Sequence, residues 1–253
     1  MKYLVHIGLL FLFCKTIYAQ EEKVNVTVYY ESLCPFAKKF IVTQLYPALQ
    51  GNLSEYVNLE LIPYGKSVTK KIGGNLTFTC HHGNVECYGN LIQVCSRILI
   101  DVGKNSSNLG FNQKYLWLVK CFMENISTSS TKKDLQDSFL HCSNDSVMIG
   151  TQQNILVNCT DRSFGMSLLE HYGNLTDQFQ KPLNNVPTIV YNNEFDKADS
   201  GESEKNFIRV LCRKITWATP NECRIVNAAE TNLLTTKYSV ILLLSLILFV
   251  IKI

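Results

Sequence analysis

Val24-Asn25-Val26-Thr27-Val28-Tyr29-Tyr30-Glu31-Ser32-Leu33-Cys34-Pro35-Phe36-Ala37 is the stretch that decides the fold of this chain. Val24, Val26, Val28 and Tyr30 alternate along it, the period-2 signature of a strand. Pro35 suits the first turn of a helix, because its missing N–H would have had no partner there. Phe36, Phe40, Ile41, Leu45, Ala48 and Leu49 then recur on one helical face. Pro47 is expected to kink or end that helix. A cysteine therefore stands where a strand gives way to a helix N-terminus. Unpartnered N–H groups and the helix dipole stabilise an anion there, which predicts a thiol pKa lowered into the range of roughly 3.5–7.5. The thiolate is the nucleophilic form. A Cys-x-x-Cys pair would place its second sulfur at position 37, where this chain has Ala37.

Outward from this stretch, both ends of the 253-residue chain read as processing signals. Lys2, the apolar run Leu4 to Phe13 and the small residue Ala19 predict a signal peptide over 1–19. Residues 23–223 then form one domain, and a hydrophobic content of 46% is ample for its core. A net charge of +3 with no basic cluster argues against nucleic acid. Asn-x-Ser/Thr sequons at Asn25, Asn52, Asn75, Asn105, Asn125, Asn144, Asn158 and Asn174 point to a glycosylated lumenal or secreted protein. Asn25 lies within the first strand, where it can go unused.

Ten cysteines are encoded, and Cys14 falls in the leader. The other nine are an odd number, so an oxidising compartment leaves one unpaired. Cys34 is the candidate. Cys80, Cys87, Cys95, Cys121, Cys142, Cys159, Cys212 and Cys223 are expected to form disulfides. Their connectivity stays open, with Cys212 and Cys223 the most natural local pair.

Val57, Leu59, Leu61 and Ile62 form a second strand ended by Pro63, giving a parallel β-α-β unit. An insertion over about 66–172 reads mainly helical, with faces at Leu91-Val94-Cys95-Ile98-Leu99, Tyr115-Leu118-Val119-Phe122, Leu135-Phe139-Cys142 and Val147 to Val157. The strand signal returns at Val186-Pro187-Thr188-Ile189-Val190-Tyr191. Asn192 and Asn193 supply a turn and Glu194-Phe195 a short hairpin partner. Phe207, Val210 and Leu211 fit a terminal helix. The order predicts an α/β, thioredoxin-like fold with a helical insertion, stapled by disulfides. Residues 224–237 read as a spacer. The apolar tail 238–253 falls short of the roughly 20 residues a span needs. Small residues at Asn227-Ala228-Ala229, the spacer and the tail match a lipid-anchor signal at Asn227, with a short membrane anchor as the alternative.

The segment Cys80-His81-His82-Gly83-Asn84-Val85-Glu86-Cys87-Tyr88-Gly89-Asn90, with Cys95 five residues on, closely resembles the signature of the gamma-interferon-inducible lysosomal thiol reductase family. That signature reads Cys-Gln-His-Gly, two residues, Glu-Cys, two residues, Asn, four residues, Cys. Every fixed position matches except His81, where the family has Gln. Tyr29 to Pro35 is similar to the family's active-site strand and turn, and Val186-Pro187-Thr188 to its later proline loop. The resemblance implies a thioredoxin-fold enzyme that reduces protein disulfides in acidic endosomes and lysosomes. Cys34 matches the attacking cysteine, and Ala37 does not match the resolving one.

With no intramolecular resolver, a mixed disulfide must wait for an external thiol or a second substrate cysteine. Slow turnover or isomerase-like shuffling follows. Pro187 is expected to be cis beside Cys34, making Val186 a contact for a substrate peptide. The partners expected are disulfide-containing proteins or peptides, an external thiol and, through the tail, a membrane. The location expected is the secretory pathway, lysosomal, endosomal or extracellular. Cys80, His81, His82 and Cys87 also have the spacing of a metal site. The motif and an oxidising lumen favour disulfides, so no metal and no cofactor are expected. Glu86 is expected to cap or anchor the following helix, His82 to be a hydrogen-bonding structural residue, and Phe36 to pack at the core or its rim. The rival reading is a non-catalytic secreted or surface binding protein that keeps the fold.

Overall fold

The computed structural model describes residues 23–101, 112–145, 154, 156, 158–161, 163–226 and 228. The signal-peptide, Asn227 and tail expectations, the sequon at Asn105 and most of the Val147 to Val157 face lie outside these residues.

Strand β1 (Val24–Tyr30) is the central strand of a three-stranded sheet. It runs parallel to β2 (Val57–Pro63), from Val24 opposite Val57 to Tyr30 opposite Pro63. It runs antiparallel to β5 (Thr188–Tyr191), from Val26 opposite Tyr191 to Tyr29 opposite Thr188. Val24, Val26, Val28 and Tyr30 are completely buried. Burying each of the three valines stabilises by about 1.5–3 kcal/mol, which fixes the register of the strand. On the opposite face Tyr29 stacks on Phe179 at 4.5 Å and joins a smaller cluster with Ile62, Leu183 and Val190. The sheet is therefore covered on both sides.

The helical segment after Cys34 is α1 (Pro35–Phe40), a π turn (Ile41–Leu45) and α2 (Tyr46–Ala48). Pro47 does not break the segment, which ends just beyond it. The π turn lies immediately upstream, consistent with a helix widened before a residue that donates no N–H. Phe40, Ile41, Leu45, Ala48 and Leu49 are buried, and Phe40 meets Phe207 edge-on at 5.8 Å. Phe36 differs from its expectation. It is 68% exposed, because it points outward from the first turn rather than onto the sheet.

The insertion begins with a hairpin the sequence pattern hid, β3 (Val68–Ile72) and β4 (Asn75–Thr79). Both strands are largely exposed, so no apolar alternation marks them. Their one signal is Gly73-Gly74, whose φ angles of 56° and 86° fit a tight hairpin turn. Helices α3 (Asn84–Asp101), α4 (Gln113–Glu124), α5 (Lys132–Asp145) and α6 (Ser163–Phe179) follow. Tyr115, Leu118, Val119, Phe122, Leu135 and Phe139 are buried among them, while Ile98 is exposed. Beyond β5, Asn192 and Asn193 take φ of 51° and 62°, and the hairpin partner shrinks to one bridge between Tyr191 and Glu194. Helix α7 (Lys197–Lys214) packs Phe207, Val210 and Leu211 into the core. Among the described residues no helix is long and apolar enough to cross a membrane.

Among the described residues, four disulfides staple the fold: Cys80–Cys87, Cys95–Cys159, Cys121–Cys142 and Cys212–Cys223. Their Cα separations of 5.5, 6.1, 5.8 and 5.3 Å lie within the range such bonds require.

Candidate active site

Cys34 sits at the N-cap of α1, with extended backbone angles and Pro35 directly after it. It is the free cysteine among the described residues. Its Sγ lies 3.8 Å from the carbonyl oxygen of Val186, which the chain reaches 152 residues later. The Val186-Pro187 peptide is cis. The residues expected at the site, Cys34, Val186 and Pro187, are thus brought together. Ala37 is wholly buried one turn along, in the main core.

The thiol departs from its expectation. The backbone N–H groups of Ala37 and Phe36 do favour the anion, as a helix start should. Burial outweighs them and pushes the Cys34 thiol above its ordinary pKa. The carboxylates of Glu31 and Glu86 add to the rise. Only 3% of Cys34 is exposed, so water that would stabilise a thiolate is kept away. The resting form is a protonated thiol donating toward Val186.

Those two acids belong to a buried polar clasp around the turn before Cys34. Glu31 accepts the Lys66 N–H on Oε1 at 2.8 Å, and its Oε2 lies 3.2 Å from His81 Nδ1. Gly65 permits this approach twice over. Its φ is +60°, and a Cβ there would fall 2.1 Å from Glu31 Cγ. Glu86, in the first turn of α3, accepts the His82 N–H on Oε1 at 3.0 Å, while its Oε2 lies 2.6 Å from His82 Nδ1. Burial and the neighbouring Glu31 raise the Glu86 pKa. Asn90 accepts the Ser32 N–H at 2.9 Å, and the Ser32 hydroxyl donates to the Glu86 carbonyl. The Cys80–Cys87 bridge closes the His81-His82 turn onto α3. Glu31, Gly65 and Asn90 were not singled out as site residues by sequence reasoning. An acid at the end of a buried strand was the available signal for Glu31.

The sequons divide by setting. Asn52, Asn75, Asn125, Asn158 and Asn174 are exposed. Asn25 is half-buried in β1, and its side chain accepts from the Asn58 amide at 3.0 Å.

Residues 25–146 match the model of the family described as gamma interferon inducible lysosomal thiol reductase (GILT). GILT-like protein 1 of Drosophila melanogaster is 34% identical over 214 residues, covering 83% of this chain and 82% of that one. A gamma-interferon-inducible lysosomal thiol reductase-like protein of Anopheles gambiae is 35% identical, covering 85% and 86%. Among solved structures, Chlamydia trachomatis DsbA aligns with a TM-score of 0.51 at 11% identity, covering 78% of this chain and 89% of that one. That likeness speaks to the fold, which is thioredoxin/DsbA-like. A strand-turn cysteine facing a later proline loop, a signature turn bridged onto its helix, and relatives matched over most of their length converge on one assignment: the chain belongs to the gamma interferon inducible lysosomal thiol reductase family.

Proposed function

We propose that the chain is a thiol–disulfide oxidoreductase in which Cys34 acts without a resolving partner. The carrying observation is the placement of an unpaired Cys34 at the start of α1, within 3.8 Å of the Val186 carbonyl. In the proposed cycle the Cys34 thiolate attacks a sulfur of a substrate disulfide. A Cys34–substrate disulfide forms, and the other substrate sulfur leaves as a thiolate that takes a proton. An external thiol then attacks this mixed disulfide, and a second releases the remaining sulfur. One substrate disulfide is reduced, two external thiols are oxidised to one disulfide, and Cys34 is regenerated.

Two features support a slow cycle. Ala37 offers no intramolecular thiol, whose effective concentration no solution thiol matches. Burial also holds Cys34 in its protonated form. The substrates proposed are disulfide-containing proteins or peptides, which the exposed Phe36 side chain would meet beside the sulfur. The proposed setting is the secretory pathway and the lysosomal or endosomal lumen. Four disulfides and a set of exposed sequons fit such an oxidising compartment.

The 3% exposure of Cys34 favours a second reading, a binding protein that keeps the fold with its sulfur closed away. A disulfide-reduction assay with wild type, Cys34→Ser and Ala37→Cys separates the two. The enzyme reading expects Cys34→Ser to abolish activity. Activity absent from the wild type at every pH supports the binding protein, and activity unchanged by Cys34→Ser overturns Cys34 as the nucleophile.

A further inference from the structure

Glu31, His81 and His82 place one carboxylate and two imidazoles so that a ligand atom from each lies within 4.8 Å of the others. The set is built from two places in the fold. Glu31 follows β1, and the two histidines fill the turn between β4 and α3. Glu31 is fully buried and cannot swing away: the Lys66 N–H holds Oε1, and the Gly65 backbone packs against its Cγ. Its other oxygen, Oε2, faces both rings, 3.2 Å from His81 Nδ1 and 3.5 Å from His82 Nδ1. Ligands held by one tetrahedral cation at ~2.0–2.1 Å stand roughly 3.3–3.4 Å from one another. The 3.2 Å between Glu31 Oε2 and His81 Nδ1 is close to that value.

The surroundings fit a cation as well. Glu86 Oε2 lies 2.6 Å from His82 Nδ1 and holds that nitrogen, so His82 would offer its Nε2 to the ion while the carboxylate orients the ring and adds negative charge. Among the described residues, the ion pairs of Glu31 and Glu86 are with these two imidazoles. Half of the His81 side chain and a fifth of His82 are exposed, so an ion can enter from solvent. Cys80 and Cys87, the sulfurs nearest in sequence, are bonded to each other and are not available as ligands. The earlier expectation of no metal weighed those sulfurs; this donor set omits them.

We propose that Glu31, His81 and His82 form a binding site for a divalent transition-metal ion of the zinc type, with water in an open fourth position. Two histidines, a carboxylate and a water are a donor set zinc accepts, and imidazole also suits copper and nickel. His81 stands where the resembled signature has Gln, so the second imidazole is a feature of this chain. Binding an ion here requires neither the Cys34 sulfur nor a step of the thiol chemistry proposed for it.

The test is titration of the intact, disulfide-bonded mature protein with zinc chloride at neutral pH after chelator treatment, followed by calorimetry. One zinc per chain is expected, with affinity weakened at least about tenfold by His81→Gln and unchanged by Cys34→Ser. Absence of saturable binding, binding indifferent to His81→Gln, or binding lost in Cys34→Ser overturns the proposal. Zinc-edge X-ray absorption on the wild type decides the matter should His81→Gln fold poorly. Nitrogen and oxygen neighbours at ~2.0–2.1 Å with imidazole scattering support the site, and sulfur at ~2.3 Å contradicts it.

Discussion

Cys34 is pulled two ways, and the balance sets its chemistry. Backbone N–H groups of α1 favour the thiolate, while burial and two carboxylates oppose it more strongly. The sign is then fixed. A thiol whose pKa is raised is protonated throughout acid and neutral pH, and its thiolate fraction grows about tenfold per pH unit below that pKa. Alkylation of the native protein at Cys34 is expected to quicken about tenfold per unit between pH 6 and 8, and to be negligible at pH 5. A plateau already reached at pH 6, read by mass spectrometry of the labelled peptide, would show the helix start winning after all. Gly65 gives a second prediction at this scale. Gly65→Ala combines a positive φ with a collision against Glu31, and is expected to destabilise by about 2 kcal/mol or more. Thermal unfolding checks it, and an unchanged melting temperature counts against the clasp.

At the scale of elements, α1 and α3 clamp the turn between them. Asn90 of α3 accepts the buried Ser32 N–H, two residues before the nucleophile. Asn90→Ala leaves that donor without its partner and is expected to cost roughly 1–3 kcal/mol, read by denaturant unfolding. Ala37→Cys acts on α1. Its added sulfur enters a packed core position, at a cost of roughly 1–3 kcal/mol, yet supplies the missing resolver. Turnover in the disulfide-reduction assay should rise at least about tenfold, even if the melting temperature falls. Much of this level was legible in the residues. Val24, Val26, Val28 and Tyr30 announced β1, and Pro35 announced the helix start, because both signals are local. The β3–β4 hairpin was not legible, since Val68 and Ile72 face solvent and no buried stripe betrays the strands. The pKa of Cys34 was hidden for a different reason. It depends on burial under a loop 152 residues distant and on Glu86, which no local pattern reports.

Across the whole molecule, the disulfides divide into short and long closures. Cys95–Cys159 ties α3 to the segment before α6 across a separation of 64 residues, while Cys80–Cys87 spans 7. Loop-closure entropy predicts that removing the long bridge costs roughly 4 kcal/mol and the short one roughly 2. Paired serine replacements compared by chemical unfolding test this order, and a short bridge that matters more would show that its value lies in holding the His81-His82 turn. The stapled frame also explains how one sulfur stays free among so many: each other described cysteine is bonded to a partner at a Cα separation the bond requires. The proposed chemistry needs Cys34 to be that sulfur and to be the atom that reacts. Incubating the native protein with a disulfide-bonded peptide at pH 8, then quenching with acid and mapping the mixed disulfide by mass spectrometry, tests this directly. One peptide adduct is expected, located at Cys34 and persisting until an external thiol is added. An adduct at any other cysteine, or none at Cys34, would contradict it.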